Sequence, residues 1–281
     1  AIEEALYPSH WRVDRRDEVI LGNVIMPVDA ANPARVSAEW AGVPHRVPAL
    51  TVQRNCASGI EAIAEAAVRI RTGQSRAILA GGAESMSQIP LLFPQSAMDP
   101  FGRLARSKTA IQKLAASASL RPKHFKPVAA LEGGLTDPSC GLIMGKTAEV
   151  LAKEFNISRL EQDEFALRSH QRVQAAAEAG KFEHEISPFY VGEHFEPLSA
   201  DVGPRFNQSL AALGNLKPIF DRRDGTVTVG NSCQVTDGAA AMMVMDAEFA
   251  KSEGLDVLGY VTAYSVIGRD PARMGLGPVF A

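Results

Sequence analysis

Continuous apolar runs and helical stripes alternate along the first part of this chain. Asp17 to Ile25 opens with a short apolar run and then turns polar, which predicts a buried strand followed by a loop. Val47 to Val52 reads as a second strand, with Pro48 near its start because proline cannot donate to a ladder. From about Cys56 to Arg71, Ile60, Ile63, Ala67 and Ile70 recur at helical spacing, and Gly73 ends the pattern. Arg76 to Gly82 then reads as a strand broken by two glycines. Strand, helix and strand within about 35 residues make a βαβ unit, so the fold class is α/β with a buried, mostly parallel sheet.

Regular periodicity fades from about Ser87 to Gly134. The stretch from Phe101 to Leu131 holds Arg103, Arg106, Lys108, Lys113, Arg121, Lys123 and Lys126 and no Asp or Glu. Leu104, Ile111, Leu114 and Leu120 lie between these charges, enough for a basic amphipathic helix or hairpin. Two readings stand side by side: a solvated lid loop, or a surface that touches anionic lipid or an acidic partner. Helical character returns at Thr147, where Ala148, Leu151, Ala152 and Phe155 form one face. Ser158 and Glu161 are spaced as a capping box for a helix running to Gly180. Gly214 to Gly225 is loop-like, and Thr226 to Val229 reads as a strand entering the polar turn Gly230 to Gly238. Ala239 to Ala250 fits a buried strand running into a helix, and Leu258 to Tyr264 reads as the start of another strand.

Composition narrows the class. With 281 residues, 46% of them hydrophobic and 22% charged, the chain is a folded protein of about two domains and neither disordered nor coiled coil. A net charge of −3 gives no global field for nucleic acid. Three cysteines, Cys56, Cys140 and Cys233, are too few for a disulfide framework and point to a reducing, cytoplasmic setting. No apolar run reaches the ~20 residues of a membrane span. Residue 1 is Ala, which hints at a start further upstream.

Cys56 is the leading candidate for chemistry. It falls in Arg54-Asn-Cys-Ala-Ser-Gly59, where a buried strand passes into the first turn of a helix. Helix N-terminal amides and the dipole favour an anion there, and so the nucleophilic thiolate. Ala57, Ser58 and Gly59 leave room for a substrate carbonyl. The alternative is a small buried cysteine that fills the joint. A thiolate needs a basic or electrostatic partner, and the six histidines, His10, His45, His124, His170, His184 and His194, form no motif that supplies one. No His/Cys cluster has metal spacing, so no metal is expected. Gly81-Gly82 lacks the surroundings of a phosphate cradle. Glu84 and Cys140 read as structural.

Several segments in one order resemble thiolases: Arg54 to Gly59, Ala80 to Ser87, Gly134 to Asp137, Met144 to Glu149, Ser158 to His170, Leu216 to Phe220, Gly225 to Asn231, Asp237 to Ala240 and Met274 to Pro278. The resemblance implies a layered α-β-α-β-α fold of two similar halves with a lid inserted into the first. Residues 1–92 and 236–254 would belong to the N-terminal half, 93–235 to the lid and 255–281 to the start of a C-terminal half that is largely missing. It implies Cys56 as nucleophile, cleaving a 3-ketoacyl-CoA with CoA through a cysteine thioester in fatty-acid β-oxidation. CoA would act as co-substrate, with no tightly bound cofactor. It further implies substrate or CoA contacts at Leu135, Met144, Phe220 and Val229, where core packing is the alternative, and at Arg205, where a solvated charge is. Cys233 stands where the family usually has a pantetheine-binding Ser, and a thiol is the poorer donor.

The family's Asn-Glu-Ala-Phe, Gly-His-Pro and Cys-Ile-Gly-Gly segments do not occur in these 281 residues. The chain therefore reads as a piece of a larger enzyme, truncated at both ends and inactive alone. The expected assembly is a homodimer or dimer of dimers, with a hydratase/dehydrogenase subunit as a possible partner. The long basic stretch resembles the lid of β-oxidation complexes, which implies peripheral membrane contact through residues 101–127. A biosynthetic acetoacetyl-CoA thiolase, or a non-catalytic acyl-CoA- or lipid-binding thiolase-like protein, are the alternatives.

Overall fold

A computed structural model describes residues 1–6 and 17–281; His10 lies outside the described residues. In chain order the helices are α1 (Ile2–Leu6), α2 (Pro33–Trp40), α3 (Ser58–Arg71), α4 (Met98–Arg106), α5 (Ala110–Ala118), α6 (Ala130–Leu135), α7 (Met144–Glu154), α8 (Arg159–Glu178), α9 (Leu210–Gly214), α10 (Ala247–Ser252) and α11 (Gly277–Phe280). The strands are β1 (Glu18–Gly22), β2 (Ala49–Val52), β3 (Ala77–Glu84), β4 (Leu91–Leu92), β5 (Val128–Ala129), β6 (Phe189–Val191), β7 (Glu196–Leu198) and β8 (Gly238–Met245).

The chain divides into two compact units, residues 1–87 with 145–281, and Gln88–Met144. The first is built on a four-stranded sheet of order β2-β1-β3-β8, parallel except for the antiparallel pair β3/β8. Every residue of β1 is buried, as a parallel strand covered on both faces requires. One face of the sheet packs Val19, Leu21 and Leu79 against Ala34, Ala38, Val43 and Val47. The other packs Ile20, Ile78 and Ala80 against Ala62 and Ala66 of α3.

Five expectations need correction. Of the predicted α3 stripe, Ala67 is buried and Ile63 and Ile70 pack partly buried, but Ile60 is 71% exposed, and Ala62 and Ala66 are the fully buried residues against the sheet. The alanines let helix and sheet approach closely. β3 is not broken at Gly81 and Gly82 but runs through both to Glu84. A Cβ on Gly81 would stand 2.2 Å from the Ala240 carbonyl oxygen, and one on Gly82 3.0 Å from that of Gly22, so the glycines serve close strand packing. On α7 the buried positions are Thr147, Glu149 and Ala152, while Ala148 and Phe155 face outward. The fourth and fifth are strands that do not form, at Thr226 to Val229 and Leu258 to Tyr264. Leu258 is fully exposed and Tyr260 is 73% exposed, and among the described residues no neighbouring strand completes a ladder.

Other expectations hold. Ser158 and Glu161 make a reciprocal capping box on α8, and Ala239 to Ala250 is β8 followed by α10, although β8 is half-exposed. In the second unit β4 and β5 pair antiparallel, and Phe101 packs against Phe93 and Phe125. Among the described residues, no helix is long and apolar enough to cross a membrane.

Candidate active site

Cys56 stands on a tight turn between β2 and α3. Asn55 adopts φ +47°, the left-handed conformation that non-glycine residues rarely take. The turn closes through Ala57 N–H to the Arg54 carbonyl and Ser58 N–H to the Asn55 carbonyl, both 3.0 Å. Ser58 stitches it a second time: its buried Oγ accepts from Arg54 N–H at 2.8 Å and donates to the Asn55 carbonyl at 2.6 Å. Arg54 also grips Glu61, one turn into α3, through Nε–Oε2 at 2.6 Å and Nη2–Oε1 at 2.8 Å. Those hydrogen bonds hold the Glu61 carboxyl below its usual range. The outcome is an exposed thiol on a backbone fixed from both sides.

The support reaches into the sheet. Gly22 ends β1 directly beneath α3, and a Cβ there would lie 2.5 Å from the Ser58 carbonyl carbon and oxygen. Beside it, Glu84 at the end of β3 accepts from Val24 N–H at 2.7 Å and more distantly from Ile25 N–H, which fixes the loop after β1. Glu84 is structural, as its sequence context implied.

Because β1, β2 and β3 are parallel, Cys56 and the residues after Glu84 share one edge of the sheet, the carboxyl edge where open α/β sheets take ligands. Glu84 pairs with Gly238, so the start of β8 reaches the same edge. There Asp237 accepts from Ser87 N–H at 2.8 Å and from Ser87 Oγ at 2.6 Å, and these donors lower its pKa. A cleft of about 330 Å³ opens here, lined by Met86, Ser87, Leu198, Val202, Val235 and Asp237.

Phe220, Val229 and Cys233 lie along one segment, residues 219–233. Ile219 N–H bonds to the Val227 carbonyl at 3.0 Å, closing its first part into a loop. The Phe220 ring fills the space above Gly145 of α7, where a Cβ would be 2.0 Å from the ring. Val229 is 68% exposed and Cys233 is exposed. Leu135 closes α6 and Met144 opens α7, both half-buried, and both fall in the unit 88–144. Arg205 is exposed, and its N–H donates to His170 Nδ1 at 3.2 Å. His45 bonds Glu39, and the buried His124 accepts from Arg121 N–H.

Two groups that shape the site carry little signal in the sequence. Gly22 carried no local signal beyond a glycine at a strand end. Glu149 ends the segment Met144 to Glu149 on α7. It is 5% exposed and accepts from Thr226 N–H and Oγ1 and Val227 N–H at 2.9 to 3.1 Å. An acid three residues before the buried Ala152 was the available clue, since a buried carboxylate demands donors. Successive residues of a strand face opposite sides, so a backbone that aims the amides of both Thr226 and Val227 at one carboxylate is not extended as a strand. Among the described residues, no group of three or more His, Cys, Asp or Glu could hold a metal ion.

Residues 1–248 match the family model described as Thiolase, N-terminal domain. An acetyl-CoA acetyltransferase of Pseudomonas aeruginosa is 42% identical over 269 residues, which are 94% of this chain and 63% of that relative. A probable acetyl-CoA acyltransferase of Staphylococcus epidermidis is 39% identical, with 97% and 66% covered. Among solved structures, the acetyl-CoA acetyltransferase of Bacillus anthracis superposes with a TM-score of 0.85 at 37% identity, over 98% of this chain and 65% of the other. The human mitochondrial 3-ketoacyl-CoA thiolase in complex with CoA gives 0.84 at 34%, over 99% and 66%. The chain thus spans about two thirds of the length of these relatives.

Proposed function

This chain belongs to the thiolase family, and from that premise we propose that Cys56 is the nucleophile of an acyl transfer between CoA thioesters. In the degradative direction the Cys56 thiolate adds to the 3-keto carbonyl of a 3-ketoacyl-CoA. The C2–C3 bond then breaks, its electron pair leaves with acetyl-CoA as an enolate, and a proton from an acid completes that product. The shortened acyl group remains on Cys56 as a thioester until the thiolate of a second CoA displaces it, so ping-pong kinetics follow. In the family the acid is a second cysteine, in a segment these 281 residues do not contain. The Cys56 backbone N–H is the candidate oxyanion donor.

The observation that carries this reading is the exposed thiol on a turn strained at Asn55 and fixed by Ser58 at the carboxyl edge of the sheet. Phe220, Val229 and Cys233 are read as CoA contacts on their shared loop, with Leu135, Met144 and Arg205 as further contacts. The named relatives include both acetyl-CoA acetyltransferases and a 3-ketoacyl-CoA thiolase; the acid-free stretch 101–131 favours the degradative role. There all seven cations are exposed, and Ile111 and Leu114 of α5 are 82% and 74% exposed. That surface suits an anionic membrane. A homodimer or dimer of dimers, a hydratase/dehydrogenase partner, a cytoplasmic location and the lid boundaries 93–235 complete the proposal.

A haloacetyl-CoA, which alkylates a thiol placed beside bound CoA, tests the site without requiring turnover. Labelling should fall on Cys56, be slowed by free CoA, and vanish in Cys56→Ala. Labelling of Cys233 or Cys140 instead, unaffected by CoA, contradicts the assignment.

A further inference from the structure

Three residues on one stripe of α7, Gly145, Glu149 and Lys153 at i, i+4 and i+8, meet the same loop. Gly145 leaves the space that the Phe220 ring occupies. Glu149 takes the amides of Thr226 and Val227. Lys153 Nζ donates to Asp221 Oδ2 at 2.9 Å, and this bond, with the Asp224 and Arg223 amides, brings the Asp221 carboxyl down to about 2. Helix α8 holds the continuation: Gln162 Nε2 donates to Thr226 Oγ1 at 2.9 Å, and the buried Asp163 accepts from Asn231 Nδ2 at 3.0 Å. Asn231 in turn accepts from Thr228 N–H at 2.7 Å. Buried carboxylates therefore fix a loop that pairs with no strand among the described residues, while Val229 and Cys233 project from it exposed.

We infer that Glu149 is a positioning residue for the CoA site: its carboxylate sets the backbone at Thr226 and Val227 and thereby the approach of Phe220, Val229 and Cys233 to CoA. The inference rests on the proposed CoA reading of that loop and adds to it the residue that shapes it. The three donors at Glu149 require an acceptor, and an amide in its place turns one end into a donor facing Thr226 and Val227 N–H. The exposed Lys153–Asp221 pair contributes less.

The test is the dissociation constant for CoA, by titration calorimetry on the purified chain, at a temperature where every variant is folded. Glu149→Gln should weaken binding about tenfold, while the rate of Cys56 alkylation by iodoacetamide stays within about twofold of wild type because the turn at Cys56 is untouched. Ala38→Gly, in the buried face of α2 far along the chain, destabilises the same unit and should leave the CoA constant unchanged. If Glu149→Gln does not fold, Gly145→Ala, which drives Phe220 off the helix, reads the same loop and should weaken binding likewise. Wild-type affinity in a folded Glu149→Gln, or in Gly145→Ala where that is the variant that folds, overturns the inference while the CoA reading survives. An equal loss in Ala38→Gly also overturns it, since the effect would then be one of stability alone. Failure of the wild-type chain to bind CoA removes the underlying reading, and the inference with it.

Discussion

Gly22 has no side chain, and the backbone of Ser58 fills the place where a Cβ would stand. Gly59, one residue after Ser58, is the opposite case, with open space within 4 Å of its would-be Cβ. The two glycines separate what supports the Cys56 turn from what must reach it. Gly22→Ala should lower stability by about 1–3 kcal/mol in urea denaturation, because rigid backbone must move, and should slow Cys56 alkylation. Gly59→Ala should leave stability equal or raise it by up to about 1 kcal/mol, yet slow alkylation by a bulky CoA reagent more than by iodoacetamide. Unchanged stability in Gly22→Ala would contradict the close contact. The place of Cys56 on a turn between strand and helix was legible because a strand end, a small-residue cluster and a helical stripe meet there. Gly22 and Glu149 were not, because the contacts that make each one matter are with residues 36 and 77 positions away.

Helices and strands were legible to the degree that their stabilising partners are local. The capping box at Ser158 and Glu161 is a property of four residues, and it forms as read. Thr226 to Val229 has strand composition, but its amides go to Glu149 and Asn231 and a ladder never forms. In α3 Ile63, Ala67 and Ile70 of the predicted stripe turn inward, while Ile60 does not and Ala62 and Ala66 pack on the sheet instead. Composition served better on α4 and α5, where basic residues surround exposed Ile111 and Leu114. Each cation near an anionic bilayer contributes about 1 kcal/mol, so replacing Arg103, Arg106, Lys108 and Lys113 by Gln should lower binding to phosphatidylserine-containing vesicles by more than about a hundredfold. Binding should also fall as salt shortens the Debye length from about 10 Å at 0.1 M to about 3 Å at 1 M. Co-sedimentation measures both, and salt-insensitive or unchanged binding would exclude this face as the contact.

Across the whole molecule, the mostly parallel sheet followed from one βαβ unit, and its carboxyl edge gathers Cys56, Ser87 and Asp237. The run from Leu258 to Tyr264 was misread for the complementary reason: a strand is a relation between two segments, and none pairs with this one among the described residues. The chain spans 63 to 67% of the length of the relatives compared, so the role proposed for Cys56 is best tested at the first half-reaction with acetyl-CoA, in which the family's second cysteine takes no part. That step is formation of the covalent thioester. The purified chain should be incubated with acetyl-CoA, quenched in acid and mapped by peptide mass. The account predicts one acetyl group, on Cys56, removable by added CoA and absent from Cys56→Ala. No adduct on Cys56, or the same adduct on Cys233 or Cys140 in the Cys56→Ala variant, would contradict it.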